Sequence, residues 1–112
     1  YNLKLSKQQY LEHVDGTRQF EDYMNSRAMK RKGPQGKLLI SEEETQEFIN
    51  KNCGKGHPKI TDTGEVRNIE FVSGENVIGQ YFKNGKWYNT KRAAIHYGKQ
   101  ASHVVPVEEE ND

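Results

Sequence analysis

Asn84-Gly85 constrains this chain more than any other pair of residues in it. Both central positions of a type I′ turn need positive φ, and that turn matches the twist of two antiparallel strands. The flanks fit. Val77 to Phe82 places Val77 and Tyr81 on one face and Ile78 and Phe82 on the other, and Lys86 onward should pair back on it. Ile69, Phe71 and Val72 predict a strand before the hairpin. After it, Ala93, Ile95 and Tyr97 alternate with Ala94 and His96, the period of a half-buried strand. The second half of the chain therefore reads as an antiparallel meander of about four strands.

The first half reads as helices. Ser6 and Gln9 have capping-box spacing, so a short helix should follow that buries Tyr10, Leu11 and Val14 and leaves His13 near its end. Asp15-Gly16 breaks it. Thr17 can cap a second helix, in which Phe20, Tyr23, Met24, Arg27 and Ala28 recur at helical spacing. Lys30, Arg31 and Lys32 fall in its last turn, where cations either suit the dipole or meet a polyanion. Leu38 to Ile40 is a brief extended piece. Ser41-Glu-Glu-Glu44 then opens a helix through about Asn50 that buries Phe48 and Ile49, and Cys53 to Pro58 starts an irregular segment. Helices first and strands after give an α+β class: N-terminal helices packed on one face of a roughly four-stranded antiparallel β-sheet.

At 112 residues with 32% hydrophobic content, that is one domain with a thin core. Residues 1–107 are expected to form that single domain, and 108–112 an acidic, disordered tail. One cysteine excludes an internal disulfide, and no apolar run reaches the length of a signal peptide or a membrane span. A start at Tyr1 points to a piece of a longer polypeptide.

The net charge of +1 conceals a polarised chain. From Asn76 to Val107 the charged side chains are Lys83, Lys86, Lys91, Arg92 and Lys99, with no acid among them; Glu42, Glu43, Glu44 and Glu47 cluster earlier, and Glu108, Glu109, Glu110 and Asp112 close the chain. A basic face carrying Trp87, Tyr88 and Tyr97 suits a polyanion with stackable bases, although an ordinary solvated sheet face has the same composition. A four-residue loop at Gly98 to Ala101 would set Tyr97 opposite Ser102 and His96 opposite His103. If the strand already runs at Thr90, then Thr90, Arg92, Ala94 and His96 point to one face, so two imidazoles, a guanidinium and a hydroxyl would meet on one patch, with Lys99 at the adjacent turn. One residue more or less in the loop would undo this.

The inventory excludes several chemistries. Gly54-Lys-Gly56 is too short for a phosphate-cradling loop. Cys53 sits at a helix end, not a helix start, which is wrong for an activated nucleophile. Cys53 and His57 could be two zinc ligands, but no second pair has matching spacing, so no metal and no cofactor is expected. The basic segment lacks the carboxylates of a two-acid hydrolase or a magnesium site. Acid–base cleavage of RNA remains, because RNA supplies its own 2′-hydroxyl nucleophile. Two histidines can move the two protons, Arg92 can grip the phosphate with Lys99 as a point charge, and Thr90 and Ser102 can hydrogen-bond it. Lys91 adds charge along the strand. Taken singly, each has an ordinary structural role: His96 as a half-buried histidine, Thr90 as a strand residue, Tyr97 as core.

The same residues carry a family resemblance. Lys7-Gln-Gln-Tyr-Leu-Glu-His-Val-Asp-Gly-Thr17, Ile40-Ser-Glu-Glu-Glu with the helix to Asn52, Gly54-Lys-Gly56, Asn76-Val-Ile-Gly-Gln-Tyr81, Thr90-Lys-Arg-Ala-Ala-Ile-His-Tyr-Gly-Lys99 and Ser102-His-Val-Val-Pro106 resemble the polymorphic toxin type 50 domain. Gly98 stands where that family usually has Ser, and Ser102 where it commonly has Gly. The resemblance implies a ribonuclease of the barnase–EndoU–colicin–RelE group with helices on a four-stranded antiparallel sheet. It adds His13 and Thr17 to Thr90, Arg92, His96, Lys99 and His103 as catalytic candidates; Trp87, Tyr88, Lys91, Tyr97 and Ser102 are the candidates for nucleic-acid contact. It implies RNA as substrate, a dedicated immunity protein as partner and no membrane. It also implies action in the bacterial cytoplasm after delivery within a secreted or virion-associated protein. The competing expectation is a non-catalytic nucleic-acid-binding or protein-interaction module of a phage or mobile-element protein.

Overall fold

The computed structural model describes residues 2–109, so residues 110–112 of the expected tail lie outside it. In chain order the elements are α1 (Lys7–Leu11), α2 (Arg18–Met24), α3 (Arg27–Lys32), β1 (Lys37–Leu38), α4 (Glu42–Asn52), β2 (His57–Ile60), β3 (Val66–Ser73), β4 (Gly79–Lys83), β5 (Lys86–Thr90), β6 (Arg92–His96) and β7 (His103–Pro106). The class is the expected α+β, with the helices N-terminal to most of the strands.

Local chemistry accounts for the helix ends. Ser6 Oγ accepts from the Gln9 N–H and Thr17 Oγ1 from the Phe20 N–H. At α4 the capping box is complete, with Glu44 N–H donating to Ser41 Oγ and Ser41 N–H to Glu44 Oε1, both at 3.1 Å. The helix expected from Thr17 through Lys32 is two. Ser26 Oγ donates to the Tyr23 carbonyl at 2.6 Å and accepts from the Met29 N–H, so it ends α2 and caps α3. A serine competes with the helix backbone in this way.

The strands form two antiparallel sheets, β1-β4-β5 and β2-β3-β6-β7, where a single meander was expected. The hairpin is as anticipated: Asn84 and Gly85 sit at φ 52° and 79°, and Lys83 faces Lys86. The difference arises one strand later, at Lys91, where the chain leaves one sheet and enters the other. There Thr90 Oγ1 accepts from the Arg92 N–H and donates to the Val107 carbonyl, while the Lys91 carbonyl takes the Gly74 N–H. Where the sheets meet, Gly36 and Gly79 lie flat against Pro106; a Cβ on either would sit 3.0 Å or closer to that ring.

β2 was not expected as a strand. All of its residues are exposed and Pro58 lies within it, which confines it to a sheet edge. It is held by a clasp. Glu70 on β3 accepts from the Gly54 N–H (2.9 Å), the Gly56 N–H (2.9 Å) and the Tyr97 hydroxyl (2.6 Å). Burial opposes its ionisation, but these donors hold its carboxyl below the usual carboxylate range. The Gly-Lys-Gly turn thus cradles an internal carboxylate.

The two faces of the larger sheet differ. Val72, Ala93, Ile95 and Val104 pack with Phe48, Ile49, Leu38 and Ile78 into the core. Ile69, Phe71, Arg92, His96, His103 and Val105, of the opposite parity, are half-buried.

Candidate functional site

The expected register of β6 on β7 holds, although residues 97–102 all lie in the connection between them. His96 and His103 are directly opposed across β6 and β7, and their rings stack with centroids 4.5 Å apart and planes 25° apart. The ladder stops there: the Tyr97 N–H goes to the Asn68 carbonyl, and Ser102 is not its partner.

His13 extends the pair to three rings. It lies 6.3 Å from His103 at 15° between planes. It is 2% exposed, and its Nδ1 is 2.8 Å from the Gly36 carbonyl. A carbonyl only accepts, so Nδ1 carries the proton and Nε2 the lone pair. The two histidines expected to converge and the one added by resemblance therefore form a single column. Among the described residues no group of three or more His, Cys, Asp or Glu side chains could hold a metal ion; these imidazoles lie face on face.

Cations flank the column. Arg92 packs its guanidinium over Phe71 at 4.8 Å from the ring centroid. Phe71 is opposite Ala94, so the guanidinium leans to within one row of His96, about 7 Å along the strand. Lys99 is exposed in the loop that joins the two histidine strands. On the other flank Ile69 faces His96, and the charge of Lys59 on β2 reaches His96. Lys59 escaped sequence reasoning because β2 did; the signal for that strand was the Asp62-Thr-Gly64 turn between Ile60 and Val66. Ile69 and Phe71 were expected in a strand, but their place beside the histidines depends on the long-range pairing of β3 with β6.

The hydroxyl candidates are engaged with backbone. Thr17 Oγ1 donates to the Leu11 and Val14 carbonyls and caps α2. Thr90 is fully buried in the strand corner described above. Ser102, also fully buried, donates to the Asn2 carbonyl and accepts from the Gly98 N–H.

The aromatic candidates diverge. Tyr97 packs on the core with its hydroxyl on Glu70. The ring of Trp87 lies under Lys37 Nζ at 4.2 Å and edge-on to Phe82. Tyr88 stacks on Tyr81 on the other face of that hairpin. Nor is the basic face of one sign. Glu108 reaches Lys83, and Glu109 accepts from the Lys91 N–H, so acids distant in sequence fold back onto it.

All three imidazoles resist protonation. Burial lowers His13, with the Gly36 bond opposing. Burial, then His13 and Lys59, lower His96. Burial, then His96 and His13, take His103 down to about 4. Such groups bind protons more readily in the unfolded chain, near pH 6.5. The column's contribution is therefore complete above that pH and is lost as pH falls toward 4. For His103 that gap bounds the effect at about 3 kcal/mol, and solvent at a half-exposed ring reduces it to about 2 kcal/mol. Denaturant titrations at pH 7 and pH 4.5 should show the larger share of that loss for the wild type, and much less of it for His103→Phe.

No helix among the described residues is long and apolar enough to cross a membrane. The family model described as bacterial toxin 50 matches residues 5–106. The chain belongs to that family. The match takes in the column from His13 to His103, the corner at Lys91 and the closing strand of this toxin domain. No curated protein and no solved structure is significantly similar to the toxin 50 chain.

Proposed function

We propose that this toxin 50 domain is a metal-independent endoribonuclease that cleaves RNA through attack of its 2′-hydroxyl. The observation that carries the reading is the stacked His96–His103 pair on a half-open sheet face, one row from the Arg92 guanidinium. His103, between two other imidazoles, is the hardest to charge, and we assign it as the base that takes the 2′-hydroxyl proton. His96, at the open end of the column, protonates the leaving 5′-oxygen. A bound phosphate favours its imidazolium form. Arg92 and Lys99 hold the phosphate as charge moves onto its oxygens. His13 is too enclosed to meet substrate and acts through His103. The 2′-oxygen–phosphorus bond forms as the phosphorus–5′-oxygen bond breaks, leaving a 2′,3′-cyclic phosphate and a free 5′-hydroxyl.

As a toxin, the domain would act on RNA in the bacterial cytoplasm, delivered as part of a longer secreted or virion-associated protein and neutralised by a cognate immunity protein. Incubation of RNA with the domain in excess EDTA tests the reaction. Cleavage to cyclic-phosphate ends is expected. RNA bound but intact, alike for wild type and His96→Ala, would favour a non-catalytic nucleic-acid-binding module.

A further inference from the structure

The β4–β5 hairpin carries a second group of side chains suited to nucleic acid. Tyr81 and Tyr88 are directly opposed and stack, with centroids 5.5 Å apart and planes 24° apart. Tyr88 is 40% exposed. On the same face, two residues on, Lys83 and Lys86 are directly opposed and exposed. Like charges so placed work against closure of the hairpin, and an anion between them relieves this. Glu108 supplies one: its carboxylate lies 2.5 Å from Lys83 Nζ. The Glu108 carbonyl accepts from Arg92 Nη1 at 3.2 Å. A single residue thus spans from the arginine beside the histidine column to the lysine beside the tyrosine pair.

We propose that Tyr81, Tyr88, Lys83 and Lys86 form a second RNA subsite, which takes single-stranded nucleotides flanking the bond at the histidine column, and that Glu108 holds a phosphate position there in the free protein. The proposal rests on the ribonuclease reading above. Stacked aromatic rings beside cations bind single strands without reading sequence, through base stacking and phosphate neutralisation. Tyr88 is eight residues from His96 along β5 and β6, at most about 27 Å of extended strand. Single-strand grooves of roughly 4–16 nucleotides cover such distances.

The test measures binding of 2′-O-methylated, hence uncleavable, oligonucleotides by fluorescence anisotropy at low salt, comparing a dinucleotide with a chain of roughly eight. Lys83→Gln/Lys86→Gln should weaken the longer chain about tenfold and leave the dinucleotide unchanged. Glu108→Gln should tighten the longer chain about threefold, a gain that disappears at high salt. Equal effects on both lengths, or none on the longer one, would overturn the proposal. So would tighter binding of a polyglutamate peptide than of the oligonucleotide, which would assign the surface to an acidic protein. If lysine-dependent binding is found but RNA is never cut, the ribonuclease reading fails and the proposal with it, the hairpin being then an RNA-binding surface and not a subsite of a cleavage site. Cleavage that needs His96, alongside binding that ignores the lysines, removes the subsite and leaves the ribonuclease reading in place.

Discussion

Replacing His103 by alanine is expected to lower RNA cleavage about 10²–10⁴-fold while oligonucleotide affinity changes little. His96→Ala should lose a similar factor, because each removes one of two proton transfers. The double variant should lose far less than the product of the two, since the residues act as a unit. The pH dependence tells them apart. His96 has to be protonated to serve as the acid, and its pKa lies below the ordinary histidine value. kcat/KM of the wild type should therefore rise as pH is lowered from 8 toward 6, approaching tenfold per unit on that limb. His96→Ala should flatten the limb and His103→Ala should keep it. Steady-state cleavage of a fluorogenic RNA across this range is the measurement. Retention of wild-type kcat/KM by either variant would remove the column from the mechanism.

Glu70→Ala is expected to destabilise the domain by about 3 kcal/mol, a large share of what a chain of this size has. The carboxylate accepts from two amides and a phenol in a buried place, and truncation removes the acceptor that all three share. Glu70→Gln keeps part of the set and should cost about half as much, and Tyr97→Phe about 1 kcal/mol. Urea denaturation gives the order directly. Glu70 is opposite Ile95 on the core face, away from the histidines, so cleavage per folded molecule should be kept in Tyr97→Phe. Equal stability of Glu70→Ala and wild type would show that β2 does not depend on this clasp.

Legibility in the sequence followed the range of the interactions. Helix starts at Ser6, Thr17 and Ser41 were readable because each cap bonds three residues away. The opposition of His96 and His103 was readable because loop length alone sets it. The corner at Lys91 was not, since no glycine or proline marks it and its bonds run to Val107 and Gly74. β2 was hidden by its exposed composition and by its anchor at Glu70, more than a dozen residues on. The return of Glu108 to Lys83 was likewise beyond local pattern. Thr17, Thr90 and Ser102 look alike as polar candidates in sequence; their backbone partners show only in three dimensions.

The central claim is that the substrate's own 2′-hydroxyl is the nucleophile and that imidazoles move its proton. A single 2′-deoxy substitution within an RNA oligonucleotide tests it most directly, with EDTA present. Cutting should vanish 3′ of the deoxy nucleotide while neighbouring sites are cut and binding is unchanged. Cutting that persists at the deoxy position, or that appears only with divalent metal, would contradict it.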